Sequence, residues 1–382
     1  MPRGIGAMKA FDVCVIGAGG VVGSAIIRDV AERGLSVIGV EAHNGPAQET
    51  SGLNSRVVHS GFHEKPGTLK ARLALTGSRL LIQYASDKSV PLLRCGMLIA
   101  VPRSAIREGL WKELGSVWHL WKGGRSHNIE FQWIVSSRNI RRIAPVEALG
   151  GIFIPSVCVV NVEQLIDSLQ RDAIAKGAVI RYGSAVVSIN RTRDHYLVHT
   201  ADWHCVARSI INSAGLAATS VSRMADGPEY HVDLIRGEYY ELRGGVERWN
   251  VRTLVYPAVP ATSPSKGMHL GPRTDGRLFI GPSSVPADSP PSNREMFLDA
   301  AKKFVPTITD KDLEPATAGT RPKYTSEAGI SDFLIRLEPG APPLINLIGI
   351  DSPGLSASLG IGKYVGDLVG NALKTITPIK AA

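Results

Sequence analysis

The sequence has few cysteines, and Cys14, Cys95, Cys158 and Cys205 form no C-x-x-C pair. Zinc sites and disulfide frameworks depend on regularly spaced cysteines, so this scatter argues against both and predicts no metal site. Each cysteine lies in an apolar stretch. We therefore expect buried free thiols in a reducing compartment.

Long apolar runs are also missing. The sequence contains no uninterrupted apolar stretch of about 18 residues, the length that suits a membrane span. Its first ten residues lack the apolar segment of a secretory signal. These features predict a cytoplasmic protein, with Met8 as an alternative start.

The charge balance is basic, with a formal net charge of +9 and a pI of about 9.4. Basic residues form no stripe along the sequence, which argues against a nucleic-acid partner. The excess charge is compatible with a weak peripheral contact with an anionic membrane surface.

Length and composition predict an ordinary globular protein of two domains. The chain has 382 residues, of which 44% are apolar and 20% charged. Domains usually contain about 100–200 residues, so we expect a second core beside the first.

The N-terminal segment predicts a βαβ unit. Residues 11–17 form an apolar, β-branched run that ends in glycine, residues 24–33 have apolar residues at helical spacing, and residues 35–40 form a second apolar run. Such a unit begins a parallel sheet covered by helices. We predict an α/β fold: a Rossmann-like dinucleotide domain, and an α+β second domain built on a mixed or antiparallel sheet.

Later segments divide between these domains. Residues 209–215 predict a strand that ends at a glycine turn, residues 344–373 predict a strand, a turn and a helix, and residues 230–280 alternate like antiparallel strands. The predicted bounds are 8–90, 151–222 and 318–382 for the dinucleotide domain, and 91–150 and 223–317 for the second domain.

Four glycines, Gly17, Gly19, Gly20 and Gly23, lie in the first turn. Glycines there let the backbone approach a pyrophosphate at a helix N-terminus. The spacing has one residue more than G-x-G-x-x-G. Either the turn carries a one-residue bulge, or the working positions shift to Ala18, Gly20 and Gly23.

Glu41 ends the second strand, eighteen residues past Gly23. An acidic side chain at this distance accepts hydrogen bonds from an adenosine ribose, although a solvated strand-end carboxylate is the alternative interpretation. Together, the turn and Glu41 predict a dinucleotide site.

Further segments carry a resemblance to a known family. The chain resembles the D-amino-acid-oxidase-like FAD oxidoreductases, and within them is most similar to the bacterial L-2-hydroxyglutarate oxidase or dehydrogenase group. The segments that carry the resemblance are residues 50–51, 54–61, 66–72, 236–240, 256–257, 267–270, 319–323 and 349–355. They follow the expected order over nearly the whole chain, and they imply FAD bound by a three-segment domain.

The resemblance also implies which residues contact FAD. The glycine turn would hold the pyrophosphate, and Glu41 with Ala42 the ribose. The remaining implied contacts are Thr50, Ser51, Asn54, Ser55 and His59 beside the flavin ring, Val187 at the adenine, Ala214 and Gly215 over the cofactor, and Asp351, Ser352, Pro353, Gly354, Leu355 and Ser356 at the pyrimidine end. Two departures from the group are the extra glycine and Phe62-His63-Glu64, where relatives often carry tyrosines.

Oxidation of a 2-hydroxy acid requires a carboxylate anchor and a base. Arg321, in a Gly-Thr-Arg-Pro-Lys turn, can grip a carboxylate through two hydrogen bonds, and Lys323 can bind the second carboxylate of a diacid. A surface charge is the alternative for Arg321. The implied reaction is oxidation of L-2-hydroxyglutarate to 2-oxoglutarate by hydride transfer to flavin N5.

His269 is the preferred base, because an imidazole titrates near neutral pH; a core histidine is the alternative. His59 would pack against or polarise the flavin, and a covalent histidyl-flavin is a variant of this role. Tyr256 and Tyr240 are candidates to hydrogen-bond the substrate, or are ordinary half-buried sheet tyrosines.

Other functions stay open. The same fold could oxidise an amine such as glycine or sarcosine, or act like a glycerol-3-phosphate dehydrogenase, and a non-catalytic FAD-binding protein is a further alternative. A nicotinamide dehydrogenase is disfavoured, since the segments around His59 and Gly354 have no role in one. The sequence leaves open the oligomeric state and the electron acceptor, whether oxygen, a quinone or a carrier protein.

Overall fold

The computed structural model describes residues 10–259 and 266–374. Met8, proposed above as an alternative start, and residues 8–9 of the predicted first domain lie outside these ranges, as do residues 375–382 of its last segment. Within the described ranges, none of the helices combines the length and hydropathy that crossing a lipid bilayer requires.

Short, mostly buried strands make up much of the described chain. In chain order, the strands are β1 (Ala10–Ile16), β2 (Val37–Val40), β3 (Val57–Val58), β4 (Leu92–Leu93), β5 (Met97–Pro102), β6 (Gln132–Ile134), β7 (Ala148–Ile154), β8 (Cys158–Val160), β9 (Val179–Arg181), β10 (Val186–Arg191), β11 (Tyr196–Thr200), β12 (His204–Asn212), β13 (Asp233–Leu242), β14 (Leu254–Pro257), β15 (His269–Pro272), β16 (Leu278–Gly281), β17 (Val285–Pro286), β18 (Leu313–Lys323), β19 (Leu334–Leu337) and β20 (Leu344–Ile348).

Helices alternate with these strands along much of the chain. They are α1 (Val21–Glu32), α2 (Leu69–Asp87), α3 (Ala105–Glu108), α4 (Leu110–Ser126), α5 (Ser137–Ile143), α6 (Val162–Ala175), α7 (Ala218–Met224), α8 (Gly245–Trp249), α9 (Arg294–Lys302) and α10 (Gly354–Lys374). The α/β fold class predicted from the sequence is confirmed.

Contacts divide the described chain into two units. Unit 1 takes residues 10–52, 162–233 and 321–374, and unit 2 takes the described residues of 53–161 and 234–320. Residues 53–90 and 151–161 thus fall in unit 2, which differs from the predicted bounds. The reason is a small sheet in which β3 and β4 both pair with β8.

Unit 1 is built on a sheet with a parallel centre. Strands β9, β2, β1, β12 and β20 are parallel neighbours, and β10, β11 and β19 add antiparallel edges. Central β1 reads as a nearly continuous apolar run, as expected of a strand covered on both faces. Helix α1 packs against α6 and α10, and glycines allow the close approach to α10: a Cβ on Gly362 would lie 2.7 Å from the Ala25 carbonyl oxygen.

Unit 2 is built on a mixed sheet in the order β17-β13-β16-β15-β14-β5-β7-β6, with β18 also paired to β13. One face is an apolar core packed against Phe297 of α9 and Phe304. The opposite face is apolar at β5 and β7, where Val117 and Leu120 of α4 cover it. At β15 the same face carries the buried polar side chain of His269, and the buried Arg273 follows the strand; this polar part carries the cluster described below.

Candidate functional site

The first turn of unit 1 has room only for glycine at two of its positions. Gly17 has φ +92°, and a Cβ built there would lie 2.5 Å from the Ser213 carbonyl oxygen. A Cβ on Gly23 would lie 2.1 Å from the Gly17 carbonyl oxygen. Because both obstacles are backbone atoms, neither clash is relieved by a rotamer change.

The extra glycine lies in the loop between β1 and α1. Gly20 is the N-cap of α1 and makes no side-chain cap, while the Ser51 hydroxyl accepts a hydrogen bond from the Val21 amide at 3.1 Å. Gly17, and not the buried Ala18, takes the left-handed conformation. The geometry corresponds to the first alternative, in which the loop carries one additional residue before α1.

Glu41 lies against this turn as expected. Its carboxylate accepts hydrogen bonds from the Gly19 amide at 2.8 Å and the His43 amide at 3.0 Å. A carboxylate can accept about four hydrogen bonds, so two positions remain for hydroxyl donors. The neighbouring Ala42 is exposed.

The first turn is closed by the end of β12. The Ser213 amide donates to the Ile16 carbonyl oxygen at 2.9 Å, and Ala214 and Gly215 follow directly, with Gly215 at φ +54°. A glycine cradle, a helix N-terminus and a buried carboxylate are the features that a nucleotide pyrophosphate and ribose require.

Two further predicted segments of unit 1 have distinctive backbone positions. The register of β10 shifts between Val186 and Ser188, so Val187 lies at an irregularity of this edge strand. Helix α10 begins at Gly354, directly after Asp351, Ser352 and Pro353, and its N-terminal amides form a positive dipole end. Leu355 and Ser356 lie in its first turn.

Arg321 and Lys323 lie at the end of the long strand β18, both half-buried. The interpretation of residues 319–323 as a turn was wrong. Pro322 is tolerated in β18 because this strand pairs only with β13, at the margin of the sheet.

Unit 2 gathers histidines around one tyrosine on the polar part of its sheet face. The ring of His269 on β15 stacks on the ring of Tyr256 on β14, with centroids 4.1 Å apart and planes 9° from parallel. The rings of His59 and His63 lie 6.1 Å and 6.0 Å from that of Tyr256. Residues separated by more than two hundred positions in sequence therefore form one cluster.

Burial keeps these histidines neutral. Burial first, and then the charges of Arg273 and Lys266, lower the pKa of His269 to about 3. Burial and the charge of Lys266 likewise lower the pKa of His63 to about 3, and the pKa of His59 falls well below its usual range. A neutral imidazole can accept a proton at physiological pH.

The charge of Lys266 is balanced inside unit 2. Its ammonium lies 2.7 Å from the carboxylate of the buried Glu64. This pair involves the Phe62-His63-Glu64 segment that departs from the family pattern. The departure therefore places His63 beside Tyr256 and supplies the carboxylate that pairs with Lys266.

Tyr239 and Tyr240 lie on opposite faces of the unit 2 sheet. Tyr240 packs on Phe297 of α9, with ring centroids 4.6 Å apart, and so belongs to the apolar core. The structure therefore favours the ordinary sheet tyrosine over a substrate contact for Tyr240. Tyr239 has the opposite orientation, which is the face of His269, because Tyr240 pairs with Ile280 and Gly281 pairs with His269.

The sequence analysis did not identify Arg273, which follows β15. Its guanidinium is buried against the Phe279 ring, 4.6 Å from the centroid, and donates a hydrogen bond to the Asn54 carbonyl oxygen at 3.1 Å. Residues two apart on a strand share a face, so continuing from His269 in steps of two would have reached Arg273.

Asn54 and Ser55 lie in the segment that leads to β3. The Asn54 side-chain oxygen accepts a hydrogen bond from the Arg56 amide at 2.7 Å, and Arg56 has φ +59°. Thr50 and Ser51 precede them and are counted in unit 1. Asn54 and Ser55 are counted in unit 2.

Comparison with known families decides the class of this chain. The model of the DAO family, described as FAD dependent oxidoreductase, matches residues 12–368. The chain belongs to this family. The predicted resemblance and the FAD cofactor are confirmed, and the DAO protein is an FAD-dependent oxidoreductase.

Two relatives span most of the chain. The DAO protein is 28% identical to the mitochondrial L-2-hydroxyglutarate dehydrogenase of Arabidopsis thaliana, over 94% of this chain and 83% of the relative. It is 27% identical to a glycerol 3-phosphate dehydrogenase of Caloramator mitchellensis, over 96% of this chain and 75% of the relative.

A solved structure shares the fold. The dithionite-reduced L-alpha-glycerophosphate oxidase of Mycoplasma pneumoniae, with FAD bound, has a TM-score of 0.83 to the DAO protein over 98% of each chain, at 24% identity. At this identity the likeness establishes the fold and not the substrate.

Proposed function

We propose that this FAD-dependent oxidoreductase oxidises a small 2-hydroxy acid, with L-2-hydroxyglutarate, giving 2-oxoglutarate, as the leading substrate. The observation that carries the proposal is a buried, neutral histidine, His269, on the same sheet face as a buried arginine, Arg273. The reaction demands a base for the hydroxyl proton and cations for the anionic groups of the substrate, and Arg321 is assigned to the carboxylate beside the reacting carbon. The relative named L-2-hydroxyglutarate dehydrogenase supports the same substrate.

The proposed FAD-binding residues are those that the family resemblance implies, and the geometry of the glycine turn and of Glu41 supports part of this set. Gly17, Gly19, Gly20 and Gly23 hold the pyrophosphate at the N-terminus of α1, and Glu41 binds the ribose. When bound, FAD accepts the hydride at N5. The remaining proposed contacts are Ala42, Thr50, Ser51, Asn54, Ser55, His59, Val187, Ala214, Gly215, Asp351, Ser352, Pro353, Gly354, Leu355 and Ser356.

His269 acts as the base in this proposal. Its Nδ1 is buried and has no hydrogen-bond partner among residues 10–259 and 266–374, so this nitrogen is available to receive the proton of the substrate hydroxyl. Stacking on Tyr256 holds the plane of the imidazole, which makes Tyr256 a positioning residue. His59 polarises the flavin, Arg321 holds the carboxylate beside the reacting carbon, and Lys323 is a candidate for a second carboxylate.

A glycerol 3-phosphate substrate is the second candidate. The relative named for that substrate favours it, and a buried guanidinium binds a phosphate as well as a carboxylate. Both candidates require loss of a hydroxyl proton, so both make the same use of His269. They differ in the anion that must be recognised.

Anaerobic bleaching of the flavin absorbance by a substrate panel tests the proposal. The panel contains L-2-hydroxyglutarate, L-lactate, glycerol 3-phosphate, glycine and sarcosine. We expect L-2-hydroxyglutarate to bleach the flavin fastest. Bleaching by glycerol 3-phosphate alone favours the second candidate, bleaching by the amines alone contradicts a hydroxy-acid oxidase, and protein that stays colourless with added FAD contradicts catalysis.

A further inference from the structure

Arg273 is a buried cation whose hydrogen-bonding capacity is only partly used. The residue is 7% exposed, and its Nη2 donates to the Asn54 carbonyl oxygen. Its Nη1 is fully buried and has no hydrogen-bond partner among the residues described. A guanidinium has five N–H donors, so donors remain for a ligand.

No carboxylate of the described chain pairs with Arg273. The nearest acidic side chain in sequence, Asp275, is held by Arg277, whose Nη2 lies 2.8 Å from its carboxylate. Arg56 and Arg277 add positive charge around Arg273, and burial with these charges lowers the pKa of Arg273 to about 10. An isolated buried cation is expensive, and an anionic ligand offsets that cost.

Another arginine of the same unit shows how a guanidinium with little solvent exposure is usually neutralised. Arg236 is largely buried, and its Nε lies 2.9 Å from the carboxylate of Glu238. The same guanidinium also donates to the carbonyl oxygens of Ala287, Ser289 and Pro290. Arg273 differs from it in lacking a carboxylate partner of its own.

The Arg273 guanidinium extends back towards His269. Its carbon lies 5.8 Å from the ring centroid of Tyr239, which occupies the same row of the sheet as Gly281 and His269. Between the two side chains, Gly271 contributes no side chain to this face. The positive charge of Arg273 contributes to lowering the pKa of His269, so the two groups are electrostatically coupled.

We propose that Arg273 binds the anionic group of the substrate that takes no part in the reaction, a carboxylate or a phosphate, and thereby selects dianionic substrates. The selection of substrates rests on the proposed function, whereas the binding of an anion at Arg273 does not. This assignment competes with Lys323 for the second anion. An anion at Arg273 also offsets the positive charge beside His269 and so makes the base stronger when the substrate is bound.

Binding of glutarate, a dianion with no hydroxyl to oxidise, tests the anion site directly. We expect calorimetry on the FAD-loaded protein to show at least about tenfold weaker glutarate binding in Arg273→Gln. Arg273→Lys should lose less affinity, because it keeps the charge but not the two parallel hydrogen-bond donors of the guanidinium. Lys323→Gln should bind glutarate like the wild type. Binding of inorganic phosphate and of acetate is measured in the same way. Tight phosphate binding indicates a phosphate site, tight acetate binding a general carboxylate site, and preference for glutarate over both a dicarboxylate site.

The control is Arg243→Gln, which removes the same charge from an exposed ion pair with Glu314 in unit 2. It should bind glutarate like the wild type. Wild-type protein that binds neither glutarate nor phosphate, or a folded, flavin-loaded Arg273→Gln that binds both normally, overturns the proposal. The proposal is also overturned if Lys323→Gln loses glutarate binding while Arg273→Gln keeps it.

Kinetics separates recognition from a structural role. For Arg273→Gln we expect the KM for L-2-hydroxyglutarate to rise at least about tenfold, with kcat changed less and the KM for the monoanion 2-hydroxybutyrate nearly unchanged. If the KM rises equally for both substrates and the melting temperature falls, Arg273 has a structural role and the proposal is overturned. If no hydroxy acid reduces the flavin but glutarate binding depends on Arg273, the proposed function fails and the anion site stands.

An independent observation concerns the exposed face of α4. Trp111, Leu114 and Trp118 follow each other at helical spacing and are 86%, 42% and 51% exposed. Val117 and Leu120, on the opposite side of the helix, are buried in the unit 2 core. Thus α4 has a second apolar stripe that faces away from its own core.

Two cations of α4 lie over its tryptophan rings. The Lys122 ammonium lies 5.6 Å from the Trp118 ring centroid, and the Arg125 guanidinium lies 5.5 Å from that of Trp121. Residues 103–142 contain eight lysines and arginines but three acidic residues, so this segment carries five of the nine net positive charges. It also contains four of the six tryptophans.

We propose that this face of α4 docks on an anionic lipid surface. Tryptophan prefers the membrane–water interface, and flanking lysines and arginines are attracted to anionic headgroups. The charge complementarity favours a lipid surface over a second copy of this basic chain, whose matching face would repel it.

Cosedimentation with vesicles tests the docking surface. We expect the holoprotein to bind phosphatidylglycerol vesicles at least about tenfold more tightly than phosphatidylcholine vesicles at low salt, and to be released by salt. The double variant Trp111→Ser, Trp118→Ser should lose this binding, while Ile174→Ser, which removes a 54% exposed apolar side chain of α6, should keep it. No binding by the wild type, binding unchanged in the double variant, or a double variant that changes only the oligomeric state overturns the proposal.

Discussion

Replacing His269 by Ala lowers the rate of flavin reduction by the 2-hydroxy acid by about 10²–10⁴-fold, the usual contribution of a general base. The imidazole is buried on the sheet face, stacked on Tyr256, and its Nδ1 is the acceptor assigned to the hydroxyl proton. Stopped-flow flavin reduction under anaerobic conditions measures the effect, and flavin absorbance at equal protein concentration shows that the cofactor is retained.

The pH profile distinguishes this base from an exposed histidine. Because the pKa of His269 is lowered to about 3, the imidazole stays unprotonated as pH falls from 8 to 5. We expect flavin reduction to change little over this range. A base with the ordinary histidine pKa of about 6.5 would instead lose roughly 30-fold of its unprotonated form by pH 5.

Two comparisons complete the experiment. His119→Ala removes an exposed histidine of unit 2 and should leave the rate unchanged. An amine substrate needs no strong base. His269→Ala should therefore slow flavin reduction by a hydroxy acid much more than flavin reduction by an amine, if the enzyme accepts one. A folded, flavin-loaded His269→Ala with a wild-type rate on the hydroxy acid contradicts the assignment of the base.

Replacing Gly23 by Ala yields protein without bound FAD and lowers the free energy of unfolding by about 3 kcal/mol. The new Cβ would lie 2.1 Å from the Gly17 carbonyl oxygen, a backbone atom, so α1 must move away from the end of β1. That movement displaces the helix N-terminus from the turn. Flavin absorbance of the purified protein and urea unfolding measure the two effects.

The matched control is Gly370→Ala in α10, also a helical glycine of unit 1. A Cβ at Gly370 meets no atom within 4 Å among the described residues. This variant should retain FAD and gain up to about 1 kcal/mol of stability, because alanine favours the helix. Normal FAD content in Gly23→Ala would contradict the close packing assigned to this turn.

Local patterns predicted the cofactor half of the molecule well. The apolar run of β1, the glycine turn, α1 and Glu41 are close in sequence and depend on short-range geometry. Glu41 was predicted to bind the ribose, and the structure adds that its carboxylate accepts a hydrogen bond from the Gly19 amide of the turn. The helix predicted at residues 355–373 begins one residue earlier, at Gly354.

The substrate half was predicted less completely, because its cluster depends on strand register. The sequence singled out His59, Tyr256 and His269 as separate candidates, but their proximity follows from the pairing of β14 with β15 and from the position of the segment around His59. The register also places Tyr239, and not Tyr240, on the face of His269. A shift of one residue exchanges the two faces of a strand.

The sequence by itself determined the α/β class, the glycine turn between β1 and α1 and the FAD-dependent family, because repeated apolar spacing, glycine positions and short motifs act over a few residues. The tertiary structure alone decided that β3 and β8 join unit 2, that residues 319–323 continue a strand, and that Arg273 is buried without a carboxylate partner among the described residues. These features depend on contacts between segments far apart in the chain. Burial and charge balance at one side chain are properties of all its neighbours, and those neighbours are known only once the chain has folded.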